Sequence, residues 1–101
     1  MPKPVMETVT FKLNDGTDRA AFAAAAAAME GWLVTQPGFV RRRLSVTTDG
    51  TWVEQIEWAD MDAARAAAAG IGKEPGNAEF LRAIDGPSAT VLHSEIDVAV
   101  N

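Results

Sequence analysis

The segment that decides the fold is GFVRRRLSVTTDGTWVEQIEW, Gly38–Trp58, which contains two runs of alternating apolar and polar residues. The dipeptide Asp49-Gly50 separates the two runs, and Asp-Gly in that setting is a strong signal for a β-hairpin. The pattern therefore predicts two antiparallel strands, Phe39–Thr47 and Thr51–Trp58.

The length of the hairpin loop determines where the three consecutive arginines of this segment point. A two-residue loop pairs Thr48 with Thr51, whereas a three-residue loop changes this pairing. Directly opposed side chains on neighbouring strands are close enough to interact. With the two-residue loop, the expected neighbours are Glu57 for Arg42, the indole of Trp58 for Arg41, and Glu54 or Trp58 for Arg43.

Neither face of the predicted hairpin is uniformly polar. In an antiparallel sheet with one wet face, apolar and polar residues alternate more strictly. We therefore expect both faces to be covered, one by helices and the other by a second copy of the sheet in a two-fold homodimer. The apolar residues fall into two sets, Val40, Leu44, Val46 and Val53 on one face, and Phe39, Trp52, Ile56 and Trp58 on the other.

The elements on either side of the hairpin predict the fold class. Two alanine-rich helices have capping residues at their starts, Thr17 or Asp18 for the first and Asp60 for the second. The order β-α-β-β-α-β predicts one ferredoxin-like α+β domain over residues 1–101, with a four-stranded antiparallel sheet and helices on one face. The expected elements outside the hairpin are a strand at Val5–Leu13, a helix to about Gln36, a helix from Met61 to about Ala69, a short helix at Asn77–Ile84, and a strand at Thr90–Val98.

The composition excludes several classes of function. The chain has no cysteine and one histidine, which excludes disulfides and cysteine-ligated metals and disfavours a protein-built zinc or copper site. Its net charge of −5, without a cluster of lysines, disfavours nucleic acid and anionic membranes as partners. No segment has the apolar length of a signal peptide or a membrane span, so we expect a cytoplasmic protein. Because ligands for metals are so scarce, we also expect a protein without a cofactor or metal.

With these elements assigned, the chain resembles the antibiotic biosynthesis monooxygenase-like group of the dimeric α+β barrel proteins. The similarity is carried by QPGFVRRRL after the first helix, DGTWVEQIEW in the hairpin, and EWADMDAARAAA leading into the second helix. It covers nearly the whole chain in the order and length of its elements. The resemblance implies a homodimer whose sheets pack face to face, with a cavity between the sheet and the helices of each subunit.

The same resemblance implies a range of chemistry for that cavity. Members of the group include cofactor-independent oxygenases of polyketide anthrones, quinol monooxygenases, haem-degrading oxygenases, decarboxylases and polyketide cyclases. Trp58, at the end of its strand, matches a tryptophan that lines the pocket in several of the oxygenases. The haem-degrading branch places a haem-ligating histidine on the second helical segment, and Gly70–Asp85 contains no histidine. We therefore do not expect haem degradation.

The candidate catalytic residues are His93, Trp58 and Glu7. Histidine is the residue type whose side chain changes charge near neutral pH, so His93 is either a general base or a hydrogen-bonded histidine at a subunit interface. Its place in the strand pattern favours the dimer side of the sheet, or the mouth of a barrel, over the cavity beneath the helices. Glu7 interrupts the apolar side of the first strand, where it is either a base or the partner of Arg42 or Arg43.

The candidate substrate-binding residues are Arg41, Arg43 and Trp52. The two arginines either hold a phenolate or carboxylate, or pair across the strands with Glu54 and Trp58. Trp52, like Trp58, either stacks on a flat aromatic substrate or packs in the core. The alanine-rich helices either lie close against the sheet or leave a cavity above it.

These residues support one leading hypothesis and two alternatives. The leading hypothesis is a cofactor-independent monooxygenase acting on a small aromatic or polyketide-type substrate, in which His93 or Glu7 removes a proton and Trp58 stacks on the ring. The first alternative is a polyketide cyclase or isomerase that performs acid–base chemistry without oxygen. The second is a non-catalytic dimer that binds a ligand.

Overall fold

The strands and helices follow the predicted order, and each helical segment is divided into two helices. In the computed structural model, which describes residues 2–101, four strands form an antiparallel sheet in the order β2-β3-β1-β4. The helices pack on one face of this sheet, which confirms the ferredoxin-like α+β fold. The elements are β1 (Val5–Phe11), α1 (Arg19–Ala27), α2 (Glu30–Leu33), β2 (Phe39–Val46), β3 (Trp52–Trp58), α3 (Met61–Gly70), α4 (Ala78–Ala83) and β4 (Thr90–Glu95).

Both main helices begin at aspartates that the sequence predicts as caps. The carboxylate of Asp18 accepts a hydrogen bond from the N–H of Ala21, and that of Asp60 accepts one from the N–H of Ala63, each at 2.8 Å. These bonds satisfy backbone donors that have no partner within the helix. Within the described chain, no helix is both long and apolar enough to cross a membrane.

The first helical segment is interrupted, so the expected continuous helix to Gln36 is wrong. The N–H of Met29 bonds the carbonyl of Ala26 at 3.2 Å, three residues back instead of four, which breaks the α-helical pattern. The helix resumes as α2 and ends at Leu33. Met29 and Leu33 are both buried on the sheet side, so the interruption preserves the apolar face of the segment.

The core lies between the sheet and the helices and is built around aromatic rings. The ring of Phe22 stacks on that of Phe80 with 5.0 Å between their centroids, and it meets the ring of Trp52 edge-on at 4.9 Å. Ala64 of α3 is fully buried, and its small side chain allows the helix to approach the sheet closely. These contacts hold α1, α3 and α4 above the sheet.

The hairpin has a three-residue loop, and the register expected from a two-residue loop is wrong. Thr47, not Thr48, pairs with Thr51, because the N–H of Thr47 donates to the carbonyl of Thr51 at 2.8 Å. The last loop residue, Gly50, has a φ of 86°, in the left-handed region that glycine occupies without strain. Three-residue hairpin loops typically place such a residue at this position.

The observed register and a bulge at Val40 gather most of the apolar residues of the hairpin on one face, whereas Val53 stays on the other. Arg42 lies opposite Ile56, and Arg41 lies opposite Glu57 instead of Trp58. The pairing shifts by one residue between Phe39 and Arg41, so an extra residue is inserted into β2 at that point. The apolar side chains that consequently face the helices are Phe39, Leu44, Val46, Trp52, Ile56 and Trp58.

The helix-free face of the sheet is mixed in polarity, which corrects the expectation that apolar residues are divided between both faces. Arg41 forms an ion pair with Glu57 on this face, with 3.4 Å between Nε and Oε1. Leu92 of β4 is 61% exposed there. The hairpin therefore gives no reason of its own to expect a second sheet on this face, and the homodimer stays a prediction.

Candidate functional site

A cavity of about 170 Å³ lies between the sheet and the helices. Its wall is mainly apolar, and α3 contributes two alanines, Ala67 and Ala68, whose short side chains leave the space open. The sequence leaves two alternatives for the alanine-rich helices, close packing against the sheet or a cavity above it. Both occur, since some alanines pack closely and others border a cavity. The larger apolar side chains of the wall include Val9, Met29, Leu33, Ile56, Trp58 and Phe80.

Two carboxylates, Glu7 of β1 and Glu54 of β3, interrupt this apolar wall. Their side chains are 13% and 7% exposed, respectively. A carboxylate that is largely removed from water needs hydrogen-bond donors or an opposite charge. The two residues meet this need with different partners. Across residues 2–101, no three histidine or acidic side chains converge as potential metal ligands.

Glu54 is paired with Arg42 in the wall of the cavity. Nε and Nη2 of Arg42 donate to the two oxygens of Glu54, each at 2.7 Å, and Nη1 donates to the carbonyl of Ala26 at 2.6 Å. The guanidinium also lies over the ring of Phe80, 5.4 Å from its centroid. The expected pairing of Arg42 with Glu57 is wrong, because the observed register turns Arg42 toward the helices.

Glu7 forms a hydrogen-bonded cluster with Trp58 and His93, which we call the Glu7 cluster. Nε1 of Trp58 donates to Oε1 of Glu7 at 3.2 Å, and Nε2 of His93 lies 3.2 Å from Oε2. The central position of β1 explains this arrangement, because β1 pairs with β3 on one side and with β4 on the other. The structure thus brings together the three residues that the sequence suggests as catalytic, and neither Arg42 nor Arg43 neutralises Glu7.

His93 lies on the helix-facing side of the sheet, so its expected placement on the dimer side is wrong, although it is not among the residues that line the cavity beneath the helices. Its Cα is paired with that of Glu7, and paired residues project from the same face. The His93 side chain is 28% exposed and borders a second, open depression with Asp60 and Glu95. Glu7 consequently lies between the apolar cavity on one side and a solvent-accessible histidine on the other.

The candidate substrate-binding residues do not line the cavity in the described part of the chain. Trp52 is 6% exposed and packs in the core against Phe22. Arg41 pairs with Glu57 on the helix-free face, and Arg43 donates to the carbonyl of the residue before it at 2.8 Å. Trp52 therefore packs in the core, one of the two alternatives considered from the sequence. The expected pairing of Arg41 and Arg43 with Glu54 and Trp58 is wrong, because in the observed register Arg41 lies opposite Glu57 and Arg43 lies opposite Gln55.

Glu54 lines the cavity, although the sequence predicts it only as a cross-strand partner of Arg43. A usable signal was present, because Glu54 lies two residues after Trp52 and two before Ile56, on the apolar face of an alternating strand. The same kind of signal identified Glu7.

Comparison with known proteins gives matches among solved structures. No family model matches the chain, and no curated protein matches it. SnoaB, a cofactor-independent oxygenase from Streptomyces nogalater, is 28% identical, with a TM-score of 0.67 over 98% of this chain and 96% of its own. A variant of SnoaB matches with a TM-score of 0.77 and 23% identity over 97% of both chains.

More distant structures share the fold alone. A protein from Bordetella bronchiseptica, provisionally named an antibiotic biosynthesis monooxygenase, has a TM-score of 0.76 at 14% identity, over 95% of this chain and 99% of its own. A haem-degrading protein from Mycobacterium tuberculosis has a TM-score of 0.65 at 20% identity, over 100% and 99%. The chain therefore has the ferredoxin-like fold of the antibiotic biosynthesis monooxygenase-like proteins, as its sequence resemblance implies.

Proposed function

We propose that this chain, which has the fold of the antibiotic biosynthesis monooxygenase-like group, is a cofactor-independent monooxygenase acting on a small aromatic or polyketide-type substrate. The observation that carries the proposal is the position of Glu7, a carboxylate in the wall of an apolar cavity that is held by Trp58 and His93. The likeness to SnoaB, a cofactor-independent oxygenase, supports it.

In the proposed reaction, Glu7 acts as the general base and removes the proton of a ring hydroxyl. The resulting phenolate is electron-rich and transfers electrons to O₂. One oxygen atom becomes the new carbonyl oxygen of a quinone, and the other leaves as water with the hydroxyl hydrogen and the hydrogen of the oxidised ring carbon. The substrate supplies all of the electrons, so the reaction as proposed needs no metal or flavin.

Trp58 and His93 have distinct roles in this proposal. The indole of Trp58 borders the cavity, where it packs against the substrate ring, and its N–H fixes one oxygen of Glu7. His93 contacts the other oxygen from the solvent-accessible side. It therefore holds Glu7 in position for the transfer, and Glu7 returns the proton to the oxygen atom that leaves as water. Arg41, Arg43 and Trp52 have no role in the proposed reaction.

The proposal includes a homodimer formed through the helix-free face of the sheet. Leu92, 61% exposed on that face, supports it, because burying this side chain would remove apolar surface from water. Each cavity lies on the opposite, helix-covered side of its sheet. A dimer of this kind leaves the cavities separate.

The test is oxygen uptake by metal-stripped protein with a panel of hydroquinones, naphthols and anthrones. Wild-type protein is expected to consume O₂ above the uncatalysed rate. Glu7→Gln should abolish most of this activity, since general bases contribute about 10²–10⁴-fold to rates. Glu79→Gln, at an exposed position of α4, is the matched control and should retain it. No uptake by folded wild-type protein with any compound of the panel would reject the proposal.

The same experiment separates the two alternatives. A cyclase or isomerase would use Glu7 for acid–base chemistry and would convert substrate under nitrogen as fast as in air. A non-catalytic binding protein would bind compounds of the panel without converting them under either condition.

A further inference from the structure

We propose that the cavity binds an uncharged phenol of one ring or two fused rings, whose hydroxyl donates a hydrogen bond to Glu7. This rests on the proposed function for the choice of site and names the class of its substrate, although binding itself requires no oxygen chemistry. Three observations carry it: the volume of the cavity, the charges in its wall, and the hydrogen bonds of Glu7.

The volume limits the size of the ligand. The cavity measures about 170 Å³, and an apolar cavity of about 150 Å³ in another protein accommodates benzene. One substituted ring therefore fits, and two fused rings fill the space. A third ring has to displace side chains of the wall or extend into water through the open side of the cavity. Trp32 of α2 is the bulkiest side chain that the helices contribute, and it is half-buried at the wall, so it is the residue that sets this limit.

The charges in the wall select against anionic ligands. Over residues 2–101, the ionisable side chains that line the cavity are Glu7 and Glu54. The guanidinium of Arg42 is held by Glu54 and by the carbonyl of Ala26, so it is not free to bind a ligand. A carboxylate ligand would add a negative charge near Glu7 in a site of low dielectric constant, where repulsion is strong.

Glu7 is the acceptor that orients the ligand. Each of its oxygens contacts one protein group: the N–H of Trp58 donates to Oε1, and Nε2 of His93 lies 3.2 Å from Oε2. An ionised carboxylate offers about four acceptor sites, so Glu7 retains the capacity to accept a bond from a hydroxyl. Beyond Glu7 the wall is formed by side chains such as Ile56 and Leu81, which suit an apolar ring. The hydroxyl end of the ligand thus lies at Glu7.

Calorimetric titration of wild-type protein under nitrogen at neutral pH tests the inference with three probes: 2-naphthol, 2-naphthoate and 2-hydroxyanthracene. We expect 2-naphthol to bind and the other two to bind at least about tenfold more weakly. Equal or tighter binding of 2-naphthoate would overturn the selection against anions. Equal binding of 2-hydroxyanthracene would overturn the size limit, and failure of 2-naphthol to bind would overturn the whole inference.

Two variants assign these preferences to residues. Glu7→Gln removes the negative charge and keeps a carbonyl acceptor, so the preference for 2-naphthol over 2-naphthoate should fall by about tenfold or more. Glu79→Gln should leave it unchanged. Trp32→Ala should raise the affinity for 2-hydroxyanthracene relative to 2-naphthol by about tenfold. An unchanged ratio in either folded variant would contradict the role given to that residue.

Failure of this inference can be distinguished from failure of the proposed function. Selective binding of 2-naphthol without oxygen uptake would reject the monooxygenase and retain the ligand class. Oxygen uptake with anthrones as efficient as that with naphthols would reject the ligand class and retain the monooxygenase.

Discussion

Arg42 and Glu54 form a two-point ion pair beneath the helices, with Nε and Nη2 of the arginine each 2.7 Å from a different carboxylate oxygen. Their side chains are only 13% and 7% exposed. Removing two charges from water costs free energy, which their attraction offsets only when both partners are present and well aligned. The bond from Arg42 to the carbonyl of Ala26 extends this link from the sheet to α1.

Breaking this pair from one side should be more harmful than removing it entirely. Arg42→Met leaves the Glu54 carboxylate buried without a counter-charge, and we expect a loss of about 3–5 kcal/mol in the free energy of unfolding. The double variant Arg42→Met, Glu54→Leu should recover most of that loss. Urea denaturation of the single and double variants measures both values.

The exposed pair Arg41–Glu57 is the control for this comparison of single and double variants. It joins the same two strands on the helix-free face, and the Arg41 side chain is 47% exposed. Its coupling energy should lie below about 1 kcal/mol, because water screens charges at the surface. Similar coupling energies for the two pairs would show that burial does not strengthen the inner one.

Gly38 should tolerate substitution less well than Gly50, although both have positive φ. Alanine at either position is strained by about 1–2 kcal/mol in the left-handed region. A Cβ at Gly38 would also lie 2.6 Å from the Cβ of Ala63, whereas nothing lies within 4 Å of one at Gly50. We expect Gly38→Ala to cost about 1–3 kcal/mol more than Gly50→Ala in urea denaturation. Equal losses in the free energy of unfolding would contradict this, because they would mean that the chain at Gly38 can move away from α3 at little cost.

Asp49 should make the hairpin sensitive to acid. The hydroxyl of Thr47 first, and then the hydroxyl and N–H of Thr51, hydrogen-bond its carboxylate and lower its pKa from 3.8 to about 2. A carboxylate with a lowered pKa in the folded state stabilises the protein above its unfolded pKa, and this contribution disappears as the pH falls from about 4 to about 2.

The variant Asp49→Asn tests this expectation. Its melting temperature should be below that of wild type at pH 7, and the difference should shrink as the pH falls to about 2. Thr47→Val removes the largest cause of the lowered pKa of Asp49. The melting temperature of this variant should therefore also fall less than that of wild type as the pH is lowered. A difference between Asp49→Asn and wild type that stays constant from pH 7 to pH 2 would contradict the assignment.

Neighbouring residues of β4 test the proposed homodimer. Leu92 is 61% exposed on the helix-free face, and Val91 is 56% exposed on the other. Leu92→Lys should weaken the dimer at least about tenfold, because it would place a charge in the interface, and Val91→Lys should leave it unchanged. Light scattering over a dilution series measures the dissociation constant. Equal effects of the two substitutions would contradict an interface on the helix-free face.

The order of elements and the helix caps could be predicted because they depend on local chemistry. Asp18 and Asp60 each precede an alanine-rich run, and their carboxylates meet the free N–H groups that any helix start presents. The hairpin register could not be derived in the same way, because an Asp-Gly dipeptide suits loops of two and of three residues. Nothing in the sequence marks the bulge at Val40.

The candidate site could be predicted in part for the same reason. Glu7 stood out because it interrupts an apolar face, and that inference does not depend on the partner strand. The predicted partners of the arginines depend on the register of the hairpin strands. An error of one residue in that register therefore changes every predicted partner. The face of His93 could not be inferred from its strand, because β4 lies at the edge of the sheet and Leu92 is exposed although it is apolar.

Because of the triplet Arg41-Arg42-Arg43, the buried ion pair favours the observed alignment of the two hairpin strands over an alignment shifted by one residue. A slip of one residue would exchange the faces of β2, so that Arg41 and Arg43 would both turn beneath the helices and Arg42 would turn to the other side. Two guanidinium groups would then compete for the single carboxylate of Glu54, and one would be buried without a partner. The observed alignment matches the three adjacent cations to the charges of β3, so a run that looks repetitive disfavours a slip of one residue between the strands.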